Sequence, residues 1–167
     1  MTTVDFNRLR VAIVDRGAHT IGLIKARCSE LGITRIEMFR KPNDAVDYYK
    51  ENQVDLFLID FLHSAEEAFS LTASLRDPAI IRQDPARVIG IIGEKSRLSV
   101  DPPVAAGVDD MLVKPVKAEN LRRMIQSVMT KPDDYVYLNS YVGPDRRRLP
   151  DNSEFGHGNR REDEQVF

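Results

Sequence analysis

The chain has 167 residues, with 24 Lys and Arg against 26 Asp and Glu, so its formal net charge is −2. This length suits one domain with a substantial core, and the balanced charge excludes a global basic field of the kind that draws proteins onto nucleic acid or anionic lipid. No apolar run approaches the ~20 residues of a membrane span, and the single cysteine, Cys28, excludes an internal disulfide. We therefore expect a cytoplasmic protein with no nucleic-acid or membrane partner.

Five short apolar, β-branched runs alternate with amphipathic stretches over the first 130 residues, a pattern typical of a parallel α/β sheet. The runs show no in–out alternation, which indicates strands covered on both faces. The predicted strands are residues 9–14, 33–39, 56–59, 88–92 and 111–113.

Helix signals separate these strands. Apolar residues recur at helical spacing from Ile21 to Leu31, and Gly32 then provides a natural stop. Pro42 suits the first turn of a second helix. A third helix should open at Ser64, because Ser64 and Glu67 form the Ser-x-x-Glu pattern of a capping box.

The last helix is predicted at about residues 118–129, where apolar side chains again share one side. Between the fourth and fifth strands the sequence is less favourable to a helix. Pro102 and Pro103 lack amide protons and restrict the residues before them. We expect any helix there to be short, displaced or frayed.

The composition changes after residue 130, because the last 37 residues contain three of the five tyrosines and no Ala, Ile, Met or Cys. We expect a domain of residues 1–130 and a tail of residues 131–167, partly disordered or docked on the domain or on a partner. Its candidate partner motif combines an aromatic anchor with three guanidiniums that can seat phosphate or carboxylate groups. These residues are Tyr141, Arg146, Arg147 and Arg148.

Three charged residues follow strands of the predicted sheet. Doubly wound sheets bind ligands outside the carboxyl ends of their strands, where the winding reverses. Asp15 ends the first strand, Asp60 the third, and Lys114 the fifth. Any one of them alone fits ordinary turn chemistry. Together, two carboxylates suit a divalent cation, and the lysine can neutralise a phosphoryl group.

The segments carrying these residues resemble the two-component response-regulator receiver domain. The resemblance covers about residues 9–129 and implies a doubly wound five-stranded parallel sheet in the order 2-1-3-4-5, followed here by a C-terminal extension. The segments are Val11-Ala-Ile-Val-Asp15, Asp55-Leu-Phe-Leu-Ile-Asp60 and Met111-Leu-Val-Lys114-Pro115.

Several roles follow from the resemblance, residue by residue. It implies that Asp60 is the phosphoacceptor, forming an acyl phosphate, and that Lys114 contacts the phosphoryl group. It also implies an Mg²⁺ site formed by Asp15, Asp60 and the backbone carbonyl of Leu62. The Lys114-Pro115 peptide bond matches one that is often cis in this family.

Four features depart from the family pattern, one of them the loop after Asp60, where Ser64 and Ala68 stand at the places of the usual Pro and Gly. Arg16 replaces the second acidic residue, which puts Mg²⁺ binding in doubt because a guanidinium repels the ion. Arg16 either pairs with Asp60 in the place of the metal, or points to solvent while Asp15, Asp60 and the Leu62 carbonyl bind Mg²⁺ more weakly. Ile92 stands where the family has a hydroxyl, and Met111 where it has an aromatic residue. Both are read as packing residues, so any conformational switch must be unconventional.

The first functional prediction is therefore a receiver in phosphorelay signalling that acts through protein–protein contacts and is not an enzyme. Its partners would be a histidine kinase or phosphotransferase and an output protein that the sequence does not identify, and a homodimer is left open. The alternative is a pseudo-receiver scaffold in which Arg16 pairs with Asp60 and no phosphoryl transfer occurs. A weaker alternative is an Mg²⁺-dependent enzyme of phosphate chemistry.

His63 is three residues after Asp60 and is therefore expected near the crevice, where it could tune access to the site or the pH response of the site.

Overall fold

The computed structural model describes residues 3–81, 84–94 and 107–130, together with two short strands at 135–138 and 141–144. Five strands form one all-parallel sheet, and their spatial order is β2-β1-β3-β4-β5, which confirms the predicted fold class and strand order. The strands are β1 (Arg10–Val14), β2 (Arg35–Phe39), β3 (Leu56–Asp60), β4 (Arg87–Ile92) and β5 (Asp110–Val113).

Within the described residues there are four helices, α1 (Ala18–Glu30), α2 (Pro42–Glu51), α3 (Ala65–Leu75) and α4 (Ala118–Thr130). The predicted start and stop signals operate as expected. Gly32 follows α1 with a φ of 88°, a left-handed conformation that favours glycine. Ser64 Oγ accepts a hydrogen bond from the Glu67 backbone N–H at 3.2 Å and so caps α3.

The helices cover both faces of the sheet, as a doubly wound fold requires. Helices α1 and α4 pack on one face, and α2 and α3 pack on the other. Each face has its own apolar layer, and the two layers account for most of the buried side chains. The first layer includes Ile24, Cys28, Leu121 and Ile125, and the second includes Tyr49, Phe57, Leu71 and Leu75.

Strand β2 differs from the expectation that every strand is covered on both faces. Strands β3 and β4 are buried along their whole length, but β2 is mostly exposed, and 43% of Met38 is accessible to solvent. The reason is topological, because β2 ends the sheet and pairs only with β1. An apolar run alone does not distinguish an edge strand from a central one.

A buried cluster of Arg76, Arg87 and Asp109 lies at the edge of the sheet opposite the carboxyl ends of the strands. Arg76, which follows α3, donates to the backbone oxygens of Ala86 and Gly107 and to Asp109 Oδ2 at 3.0 Å. Asp109 Oδ2 also accepts from the Val88 N–H at 2.7 Å. The cluster therefore connects α3 to the beginnings of β4 and β5.

Two predictions fall wholly or partly outside the described residues. Pro102 and Pro103, and with them the doubtful helix, lie there, as do the three tail arginines Arg146, Arg147 and Arg148. Tyr141 begins β7 (Tyr141–Pro144), which pairs antiparallel with β6 (Tyr135–Leu138). The division between the domain and the tail stays a prediction. Among the described helices, none combines the length and the apolar character needed to cross a membrane.

Burial of Cys28 in the layer beneath α1 gives a pH-dependent prediction. Desolvation raises the pKa of this thiol to about 12, whereas an unfolded cysteine has a pKa of about 8.5. The unfolded chain therefore loses the proton first, and stability should fall as pH rises from about 8.5 towards 12. Urea denaturation across this range should show a steeper loss for wild type than for Cys28→Ala. Parallel curves for the two proteins would contradict the assignment.

Candidate functional site

Strand register brings the predicted site residues together. Val14 is the register partner of Ile59 in the β1–β3 pair, so the residues that follow them, Asp15 and Asp60, lie side by side at the carboxyl edge. Ile92 and Val113 pair in the same way at the ends of β4 and β5, and Lys114 comes next. The order of the strands thus delivers two carboxylates and one ammonium to a single cleft.

Asp60 is held by two donors on one of its oxygens. Its Oδ1 accepts from Lys114 Nζ at 3.0 Å and from the Leu62 backbone N–H at 3.3 Å. The Asp60 side chain is 1% exposed and that of Lys114 is 21% exposed, so this ion pair is largely shielded from water. The Lys114-Pro115 peptide is cis.

Asp15 is equally buried, and its Oδ1 accepts from the Gly17 backbone N–H at 2.7 Å. Within the described part of the chain, the second oxygen of each carboxylate, Oδ2, lacks the hydrogen bonds that the first oxygen, Oδ1, accepts. Neither Asp15 Oδ2 nor Asp60 Oδ2 has a hydrogen-bond partner among the described residues, although both are buried. Buried anionic oxygens without partners are costly, and a cation between them would offset that cost. These side chains therefore fit a divalent cation.

His63 completes the cluster. Its Nε2 lies 3.6 Å from Asp15 Oδ1 and 3.7 Å from Asp60 Oδ2. One potential ligand atom from each of the three residues lies within 4.8 Å of the others. The His63 side chain is 44% exposed, so it forms the outer wall of the site. The sequence placed His63 near the crevice but gave it no ligand role.

Solved structures share this fold, although their sequences are only distantly similar. A scan with models of protein families finds no match, and neither does a comparison with curated sequences. Solved structures do match. A response regulator from Thermotoga maritima superposes with a TM-score of 0.63 at 18% identity, covering 74% of this chain and 98% of that one. The chain has the receiver-domain fold.

Two other structures with this fold extend the comparison. The chemotaxis response regulator CheY4 of Vibrio cholerae gives a TM-score of 0.61 at 18% identity, covering 72% of this chain and 98% of that one. The receiver domain of Ssk1 from Saccharomyces cerevisiae, crystallised with the histidine phosphotransfer protein Ypd1, also gives 0.61 at 18% identity, covering 72% and 88%.

Arg16 does not form the contact that the pseudo-receiver alternative requires. Its guanidinium does not pair with Asp60; Arg16 Nη2 instead donates to the Glu67 carboxylate in the first turn of α3. The Arg16 side chain is 56% exposed, so this pairing leaves the guanidinium in water, whereas pairing with Asp60 would require its burial. Lys114 already occupies Asp60 Oδ1. The pair that the pseudo-receiver alternative required is therefore absent among the described residues, whereas phosphoryl transfer itself stays a prediction.

Glu67 and Arg40 are the neighbours that sequence reasoning missed. Arg40, which follows β2, donates from Nε to the Arg16 backbone oxygen at 3.0 Å. Glu67 supplies the capping-box N–H to Ser64 while its carboxylate accepts from Arg16. The signal for Glu67 was available, because the first turn of α3 must open at the same edge of the sheet as Asp60.

The departures at Ile92 and Met111 lie in the apolar layer on the α2–α3 side. Ile92 is buried within this layer, and Met111 is half-buried against it. A Cβ built on Gly90 would come within 2.4 Å of Met111 Sδ and 3.0 Å of Phe61. Met111 therefore packs over the glycine of β4, and neither side chain brings a polar group to the cleft.

The backbone and the side chain of Leu62 have different roles at the site. Its backbone N–H reaches Asp60, whereas its side chain is an exposed apolar group, 53% accessible to solvent. The proposed role of its carbonyl as a metal ligand stays a prediction. A Cβ on Gly93 would lie 2.9 Å from Leu62 Cδ1, so the leucine lies over a glycine at the end of β4.

Proposed function

We propose that this protein is a response-regulator receiver in phosphorelay signalling and that Asp60 accepts the phosphoryl group. The main support is the unequal hydrogen bonding of the two Asp60 carboxylate oxygens. One oxygen is held by Lys114, and the other is free of hydrogen bonds among the described residues and faces Asp15 and His63. A carboxylate oriented on one side and unpartnered on the other suits nucleophilic attack.

In the proposed transfer, an oxygen of the Asp60 carboxylate attacks the phosphorus of a phosphohistidine. The P–N bond breaks, its electron pair stays on the imidazole of the donor, and an aspartyl phosphate forms. Lys114 holds the attacking carboxylate in place and provides positive charge for the incoming phosphoryl oxygens. Asp15 and Asp60 would hold Mg²⁺, which would supply positive charge to neutralise the phosphoryl oxygens.

The partner class follows from the same chemistry. One solved structure with this fold is a receiver domain in complex with a histidine phosphotransfer protein. For this chain we therefore propose a histidine kinase or phosphotransferase as the donor. In this proposal each molecule accepts one phosphoryl group, and the phosphorylated surface is then recognised by an output protein. Ile92 and Met111 offer no hydroxyl or aromatic ring, so the usual coupling between those two groups has no chemical basis here.

Intact-mass measurement tests the proposal. The folded protein is incubated with acetyl phosphate and Mg²⁺ or Mn²⁺, and we expect a mass gain of one phosphoryl group. Chelation of the dication should suppress the gain, because the buried carboxylates would then repel the anionic donor. A folded protein that gains no mass at any dication concentration would refute the proposal.

A further inference from the structure

We propose that this cleft binds a first-row transition dication, such as Mn²⁺ or Zn²⁺, through a nitrogen of His63 together with Asp15 and Asp60. The inference deepens the proposed function, because it names the class of cation at the proposed phosphorylation site. It rests on three features of the cleft: the spacing of the three ligand atoms, the two carboxylate oxygens without partners, and the space left by Gly17.

The spacing is close to that of ligands sharing one ion. Two ligands each about 2.1 Å from a metal lie roughly 3.0–3.6 Å apart at ordinary coordination angles. His63 Nε2 is 3.6 Å from Asp15 Oδ1 and 3.7 Å from Asp60 Oδ2. Both separations are within a few tenths of an ångström of that range, and all three ligand atoms lie within 4.8 Å of one another.

The two carboxylates supply the second, independent indication. Their side chains are 0% and 1% exposed, and each carries an Oδ2 atom without a hydrogen-bond partner among the described residues. Lys114 is directed to the other oxygen of Asp60, so it leaves Asp60 Oδ2 available. Within the described ranges, Asp60 Oδ2 is thus both unpartnered and at ligand spacing from His63, and Asp15 offers an unpartnered Oδ2 on the carboxylate whose Oδ1 lies beside His63.

Gly17 lies beside Asp15 Oδ1 and His63 Nε2, and its lack of a side chain leaves space next to these two atoms. A Cβ at this position would lie 3.3 Å from Asp15 Oδ1 and 3.5 Å from His63 Nε2, and it would collide with Thr20 Oγ1 at 2.4 Å. A side chain at residue 17 would thus be tight against Asp15 Oδ1 and in van der Waals contact with His63 Nε2. With glycine there, the backbone N–H binds Asp15 and the space beside His63 stays open.

The kind of ion follows from the donor atoms. Mg²⁺ prefers oxygen ligands and retains its waters, whereas imidazole suits transition metals. This chain has an arginine at the position that would supply another carboxylate, and Arg16 pairs with Glu67 at the mouth of the cleft. Nearby positive charge weakens an ion held by electrostatic attraction alone. A directional metal–nitrogen bond from His63 offsets that loss for a transition ion but contributes little for Mg²⁺.

Calorimetry on the unphosphorylated protein tests this inference. Dissociation constants for Zn²⁺, Mn²⁺ and Mg²⁺ are measured for wild type, His63→Ala and His19→Ala, the last being a control that removes an exposed imidazole from α1. We expect His63→Ala to weaken Zn²⁺ and Mn²⁺ binding about tenfold or more, and Mg²⁺ binding less than about threefold. His19→Ala should change none of the three. If His63→Ala does not fold, His63→Gln replaces it.

A spectroscopic measurement separates ligation from an indirect effect. Electron spin-echo modulation of bound Mn²⁺ should report a coordinated imidazole nitrogen in wild type and lose it in the His63 variant. Equal weakening of all three ions, unchanged affinities in the His63 variant, or no dication binding by the folded wild type would overturn the inference. Since no phosphoryl group is involved, these outcomes are independent of whether Asp60 accepts one.

Discussion

Asp60→Asn should abolish phosphoryl uptake from acetyl phosphate while leaving the protein folded. The amide has nearly the same shape as the carboxylate it replaces, and the site is almost completely buried, so packing is preserved. The amide oxygen is, however, a poor nucleophile and lacks the charge that pairs with Lys114. Intact mass after incubation should therefore match the untreated protein.

Asp55→Asn is the matched control for that experiment. Asp55 lies immediately before β3, at the end of the strand opposite Asp60, and its carboxylate pairs with Arg10. Removing this charge changes the same strand without touching the cleft, so uptake should equal that of wild type. Uptake that persists in Asp60→Asn, or is lost in Asp55→Asn, would place the acceptor elsewhere.

Asp109→Ala should lower the free energy of unfolding by about 3–5 kcal/mol, the range for removing one partner of a buried ion pair. Asp109 and Arg76 have side chains only 3% and 4% exposed, and Arg87 approaches the same carboxylate at 3.6 Å. The substitution would leave two buried guanidiniums without this counter-charge, and the Val88 N–H without its acceptor. Urea denaturation measures the loss.

The control for this prediction is an exposed acid–base pair. Asp47 pairs with Lys50 on the surface of α2, with 72% of its side chain exposed, so Asp47→Ala should change stability by about 0.5 kcal/mol or less. If Asp109→Ala costs no more than Asp47→Ala, the buried cluster does not stabilise the fold in the way that its geometry indicates.

The arrangement of the cleft could be predicted because it depends on strand order. Once β1 and β3 are neighbours, the register of Val14 with Ile59 requires Asp15 and Asp60 to be adjacent, whatever their side chains do. Lys114 reaches Asp60 from the end of β5 for the same reason. The strands themselves were visible as apolar runs, and Pro42, Ser64 and Gly32 marked helix ends.

The contacts of exposed side chains could not be predicted in the same way. Arg16 has carboxylates available on several elements, and its choice of Glu67 over Asp60 depends on desolvation and on the position of α3, 51 residues along the chain. The same limit applies to His63, whose sequence position places it near Asp60 without fixing the direction of its ring. The exposure of β2 likewise depends on which strand ends the sheet, a property of the assembled fold.

Chemical trapping of the phosphorylated residue identifies the phosphoacceptor itself. After incubation with acetyl phosphate, borohydride reduces an aspartyl phosphate to a stable alcohol, and peptide mass mapping identifies the converted residue. We predict conversion at Asp60 alone, with Asp15 unchanged in the same peptide map. Conversion at Asp15, or at any residue outside the cleft, would contradict the account.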